Sequence, residues 1–406
     1  MNVIFVEPAF PYNQREFVRA LHAVGAHVIG IGERPLAALD AELRHWLTHY
    51  EQVPSVVDDR ALLSCVRAVQ RKVWVDRIEA TVEAHIMSVA MVREAAGIPG
   101  TSSRTAWRCR DKPTMKEALR AAGIPCAQST GAASPEAVRA FAARVGYPLI
   151  LKPRSGAGSA GTQRVDSEAE LDRALSAYQL RGGNSIAVEE FIDGHEGFLD
   201  TICVGGEVVH EFVSHYYPNV LEAMRARWIS PQIVATNRIN VAGYDELKMM
   251  ARTVIRALEI GTSATHMEWF FGSKGLKFSE IGCRPPGVGQ WDVYCAANEF
   301  DIYREWAMAI VHGRSEQPAS RRYACGMIAL RPECDGEITG YDGVERVGRE
   351  FGDCIVAAHF PSPGTPTQPV EAGFMANAWM RVRHPDYDSL RRILDTIGET
   401  VRVRAH

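Results

Sequence analysis

Apolar and polar positions alternate along this chain in two different periods, and the order of those periods outlines an architecture. Residues 2–7, NVIFVE, form a short apolar run followed by a Pro-rich loop. A helical period then covers Gln14 to Val24, and a second apolar run, AHVIGIG, follows. Strand, loop, helix, strand is the opening of a parallel α/β unit. The alternation continues to about Gly100 without a Gly-x-Gly-x-x-Gly at the first turn, so a dinucleotide site is not indicated there. RDKPTMKEALRAAGIP then reads as a helix closed by Gly123 and Pro125.

From about Ala127 a smaller unit is expected: a strand, the helix SPEAVRAFAARVG, a strand, the helix SEAELDRALSAYQ and the strand SIAVEEFI. At about 65 residues it is small for a domain and has the size of a lid. DTICVGG and EVVHEFVSH read as a hairpin about Gly205 and Gly206. The helix DELKMMARTVIRALE and the strands THMEWFF and LKFSEIG follow, and a tail from about Ser315 carries Gly and Pro punctuation.

Composition removes several classes of function. The chain has 406 residues, 46% apolar and 23% charged, which is ordinary for a globular protein with a sizeable core. Acidic residues outnumber basic ones 49 to 45, so neither nucleic acid nor an anionic membrane is expected as a partner. The nine cysteines include no Cys-x-x-Cys and read as reduced thiols, which excludes zinc fingers and disulfide scaffolds. With no signal-like amino terminus and no run of ~18 apolar residues, a cytoplasmic location is expected.

Candidate chemistry concentrates between residues 112 and 289. YPLILKPRSGAGSAGT, residues 147–162, places Lys152 at the end of a strand, ahead of a loop with Ser155, Gly156, Gly158, Ser159 and Gly161. Such a loop can turn several backbone N–H groups toward a phosphate. The lysine precedes the glycines, so this is not a Walker loop. Glu268 lies beside Trp269 and Phe270, where a carboxylate is expensive to bury unless paired or metal-bound. His45 and His49 could meet on a helix face but lack a third ligand, and Cys283 reads as a small residue at a strand end.

Taken in order, DKPTMKEALRAAGIP, Lys152 with its glycine loop, EEFIDGHE, HMEWFF and SEIGCRPPG resemble the ATP-grasp superfamily of carboxylate-amine ligases, over about Cys109 to Ile310. The resemblance implies an α/β ATP-grasp fold. Its parts would be a Rossmann-like pre-ATP-grasp domain at 1–108, a linker helix and lid at 109–193, a catalytic core at 194–314 and a terminal subdomain at 315–406. It further implies that Lys112, Lys152 and the loop from Ser155 to Gly161 bind the phosphates of ATP. Glu189 and the backbone of Glu190 and Ile192 would face adenine, and Glu196 the ribose. Glu268 and Glu280 would hold one or two Mg²⁺ ions, with Mn²⁺ as a substitute, and hard oxygen donors suit such an ion. Arg284 would face the transferred phosphoryl group, with Lys152 and Glu280 as the other catalytic residues. Gly282 stands where family members commonly carry Asn, which puts a second metal in doubt.

Thr265, His266 and the turn from Gly287 to Gly289 look most like the L-amino acid ligase branch. The expected reaction phosphorylates a small carboxylate and couples it to an amine, giving an amide, ADP and phosphate. His266, Gly287, Gly289 and the arginines Arg225, Arg227 and Arg238 are candidate substrate contacts. The runner-up that the resemblance admits is a bicarbonate-using carboxylase type, with an ATP-grasp kinase or a non-catalytic nucleotide-binding protein behind it, and it leaves room for a homodimer.

Overall fold

A computed structural model describes residues 1–155, 161–178, 180, 184–372 and 377–406. At the amino terminus four parallel strands lie in the order His49–Gln52, His27–Gly32, Asn2–Val6, Arg77–Glu79. The apolar run Asn2–Val6 is buried on both faces, and its period of two divides it between two cores. Val3 and Phe5 pack toward Phe17 of the helix Gln14–Ala23 and Trp306 of the helix Ile302–His312. Ile4 and Val6 join Leu62 and Val66 on the other face. The Phe17 and Trp306 rings meet edge to face at 5.1 Å, so the first domain and the core share one hydrophobic cluster.

The linker helix Lys112–Ala121 begins at Asp111, whose carboxylate accepts from the Thr114 N–H at 3.2 Å, and Pro113 occupies its first turn. Gly123 follows at φ 78°, a conformation that favours glycine and ends the helix. Arg154 of the lid grips the same Asp111 with two bonds of 2.8 Å. The lid is an antiparallel sheet in the order Ser129–Ala132, Ile186–Glu190, Leu149–Pro153, Gln163–Val165. It carries the helices Pro135–Val145 and Glu168–Tyr178. Its core of Leu149, Leu151, Val188, Val138, Phe141 and Leu171 is separate from the others.

The remaining strands form one eight-stranded antiparallel sheet. Its order is Gly275–Gly282, Ser263–Gly272, His195–Val204, Glu207–Tyr217, Gln232–Ala235, Ala324–Leu330, Ala378–His384, Ile355–His359. The hairpin about Gly205 and Gly206 is present, but its first strand begins at His195 rather than near Asp200. That strand is buried on both faces, so polar residues destined for the interior blur its alternation. The sheet runs unbroken across residues 314 and 315, because Ala324–Leu330 pairs with Gln232–Ala235. No helix among the described residues is long and apolar enough to cross a membrane.

Candidate active site

A cavity of about 640 Å³ opens between the lid, the linker helix and the hairpin formed by Ser263–Gly272 and Gly275–Gly282. Lys112, Lys152, Glu189, Glu190, Ile192, Glu196, Arg225, Glu268 and Glu280, all selected from the sequence, line it together. Residues more than 160 positions apart thus converge on one space.

At the hairpin, Glu268 stands directly opposite Glu280 on the neighbouring strand. Two carboxylates so placed repel unless positive charge compensates them. Lys112 puts its ammonium 3.2 Å from Glu280 Oε2, and His266 Nε2 lies 3.7 Å from Glu268 Oε1. Burial opposes ionisation of Glu268, but His266, Lys152 and Lys112 outweigh it and hold the carboxyl below its ordinary value. Burial likewise disfavours charge on His266, yet Asp200, bonded to Nδ1 at 2.7 Å, and Glu268 raise it to about 9. Tyr294 in turn donates to the other Asp200 oxygen at 2.5 Å.

Glu196 lies nearby with one oxygen accepting from the Val220 N–H at 2.6 Å. Burial first, then the charge of Glu268, pushes it up to about 8. A cation between the carboxylates would relieve that repulsion. The all-oxygen pair Glu268 and Glu280 fits Mg²⁺ when phosphate oxygens complete its shell. Among the described residues no group of three or more metal-ligating side chains occurs, so the protein alone offers an incomplete shell.

At the lid, Glu189 is clasped from both sides. Lys116 Nζ lies 2.7 Å from one oxygen and Lys152 Nζ 2.9 Å from the other. Burial would raise this carboxyl, but the two lysines lower it to about 2. Burial disfavours charge on Lys152, but Glu189, Glu280 and Glu268 outweigh it and hold the ammonium above its ordinary value. Glu190 sits at the rim, accepting from the Gln128 N–H at 3.0 Å and pairing with Lys274 at 3.1 Å. Ser155 and Gly161 flank the glycine loop, while Gly156, Gly158 and Ser159 lie outside the described residues.

Arg284 is placed differently from the lysines. Its Nε donates to Glu83 of the first domain at 2.7 Å and its Nη1 to the Pro285 carbonyl at 2.7 Å. Glu83 also receives Arg110, at 3.2 Å. Arg284 lines a small side cavity with Lys112, His266 and Glu280, next to the large one. A Cβ on Gly282 would point at this pair, 3.4 Å from Arg284 Cγ and 3.5 Å from Glu83 Oε2.

The arginine candidates need correction: of the three, only Arg225 lines the cavity. Arg227 pairs with Asp335 at 2.5 Å, and Arg238 with Asp386 and Asp388 at 3.0 and 2.8 Å, because the carboxy-terminal segment supplies nearby carboxylates. Gly287 and Gly289 shape the turn into the helix Gln290–Asn298, where Gly289 takes φ 68°. His45 and His49 do not share a helix face, since the helix Ala41–Trp46 ends before His49 begins a strand. All nine cysteines are free, and Cys283 is buried at its strand end. Sequence reasoning passed over Lys116, Asp200 and Glu83. The four-residue spacing from Lys112 could have revealed Lys116.

A lid and an antiparallel core closing on opposed carboxylates and buried lysines describe an ATP-grasp arrangement. The ATP-grasp domain family matches residues 117–300, and the chain carries an ATP-grasp domain within an ATP-grasp fold. It is 28% identical over 254 residues to the L-arginine-specific L-amino acid ligase of Bacillus subtilis, covering 60% of each chain. The match thus spans about three fifths of that relative's length. It is 26% identical over 302 residues to the formate-dependent phosphoribosylglycinamide formyltransferase of Anaeromyxobacter dehalogenans, covering 71% of this chain and 73% of the other. Among solved structures, the L-amino acid ligase of Bacillus licheniformis superposes with a TM-score of 0.77 at 16% identity, covering 100% of this chain and 98% of that one. The N5-carboxyaminoimidazole ribonucleotide synthetase of Thermotoga maritima gives 0.71 at 17% identity, covering 100% and 99%.

Proposed function

We propose that this protein is an ATP-dependent ligase that phosphorylates a small carboxylate, an amino acid or related acid, and couples the acyl phosphate to an amine. The observation that carries the reading is the opposed pair Glu268 and Glu280, set with Lys112 and Lys152 around one cavity under a lid. A carboxylate resists attack because its leaving group would be oxide, and phosphorylation supplies a phosphate leaving group instead. Lys112, Lys152 and Arg284 stabilise charge on the moving phosphoryl group, and the lid keeps water from the acyl phosphate. Bound at the two glutamates, Mg²⁺ would neutralise the phosphates. The backbone of Glu190 and Ile192 faces the base and Glu196 the ribose, while Glu189, which the resemblance also turns to adenine, is held by Lys116 and Lys152. His266, kept charged by Asp200, and Arg225 are proposed to meet the acid or the amine.

The likeness to purine-pathway enzymes favours a second reading, in which a one-carbon acid such as bicarbonate or formate is activated. ADP release measured with amino acids and small carboxylates, singly and in pairs, separates the two. The first reading expects release to depend on an organic acid and to rise when an amine is added. Release that requires only bicarbonate or formate rejects it. We also propose that the enzyme works in the cytoplasm, on small molecules, and we leave the homodimer as the assembly to test.

A further inference from the structure

Lys112 and Lys116 lie one turn apart on the linker helix, and both line the cavity. They serve different halves of the site. Lys112 pairs with Glu280 of the core, whereas Lys116 pairs with Glu189 of the lid. Lys116 is 1% exposed and Glu189 4%, so each is costly to leave unpaired. Glu189 gives one oxygen to Lys116 at 2.7 Å and the other to Lys152 at 2.9 Å. Two ammonium groups and one carboxylate leave the trio with one net positive charge.

Resting on the nucleotide reading of this cavity, we propose that Lys116 is a positioning residue: it occupies half of Glu189, so that Lys152 meets the polyphosphate with its charge not cancelled by its neighbour. Without Lys116, both oxygens of Glu189 would turn to Lys152 and form a neutral buried pair. A nucleotide phosphate would then compete with that carboxylate for the Lys152 ammonium. The penalty is electrostatic, so it grows with the number of phosphates and leaves the base and ribose contacts untouched.

Equilibrium binding of AMP, ADP and AMP-PNP in the presence of Mg²⁺ tests this, with the ratio of AMP-PNP to AMP affinity as the readout. Lys116→Met is expected to lower that ratio about tenfold, with ADP intermediate. Lys116→Arg, which keeps the charge, should stay within about threefold of wild type. The double variant Lys116→Met/Glu189→Gln should recover the ratio, because the competing carboxylate is gone. Equal losses for AMP and AMP-PNP, no loss at all, or a double variant as impaired as the single one would overturn the proposal. Should Lys116→Met fail to fold, the arginine and double variants still decide, since a lowered ratio in either contradicts it. If wild-type protein binds none of the three nucleotides, the nucleotide reading itself falls, and this inference with it.

Discussion

Replacing Glu280 with Gln should reduce ADP release on the order of 10³-fold, equivalent to about 4 kcal/mol of lost transition-state stabilisation, while the protein stays folded. Glu280 faces Glu268 across one strand pair and holds Lys112 at 3.2 Å, so one substitution removes the proposed metal carboxylate and the Glu280 charge beside Lys112. The amide keeps the shape of the side chain. Its site is a strand at the cavity wall rather than the hydrophobic core, which argues for an intact fold. ADP release at saturating substrates, checked beside a melting temperature, measures the effect. A folded Glu280→Gln variant with near-normal release would remove the metal role from this residue.

Arg284→Lys should lower kcat on the order of 10²-fold while nucleotide affinity stays within about threefold. The guanidinium is fixed in its plane by two bonds, Nε to Glu83 and Nη1 to the Pro285 carbonyl. Among the described residues its Nη2 has no partner, so the fork can hold Glu83 and still present an N–H to an anion. A lysine keeps the charge but has a single point of attachment. If it pairs with Glu83 it leaves the phosphoryl site, and if it does not, Glu83 loses its 2.7 Å partner. Comparing kcat with the dissociation constant of Mg-ADP separates the two effects. A loss of affinity as large as the loss of kcat would make Arg284 a nucleotide-binding residue rather than one that acts on the moving phosphoryl group.

How far the sequence could be read depended on how local each signal was. The strands at Asn2–Val6 and Ser263–Gly272 and the helix Lys112–Ala121 follow from runs and spacings within a dozen residues, with caps at Asp111 and Gly123. The site residues Lys112, Lys152, Glu189, Glu268 and Glu280 each stood in a short motif, and the fold brings them to one cavity. What stayed hidden was set by contacts between distant segments. Nothing near Glu83 announces that Arg284, 201 residues away, will bind it. Nothing near Arg227 or Arg238 shows that Asp335, Asp386 and Asp388 will take them from the substrate side. Asp200 was obscured for a related reason: it lies on a strand buried on both faces, where alternation gives no reading. The continuity of the eight-stranded sheet across residue 315 is likewise a pairing between Gln232–Ala235 and Ala324–Leu330, which spacing alone does not encode.

Trapping the activated acid tests the central claim most directly. With ATP, Mg²⁺ and the correct carboxylate, hydroxylamine should replace the natural amine and yield a hydroxamate, with one ADP formed for each. The acyl phosphate is open to any good nucleophile, and the amine is needed only after it has formed. Matched accumulation of hydroxamate and ADP, absent in the Glu280→Gln variant, is the predicted result. ATP consumed with the acid that supports turnover, but giving neither hydroxamate nor amide, would contradict the ligase account while leaving the fold untouched.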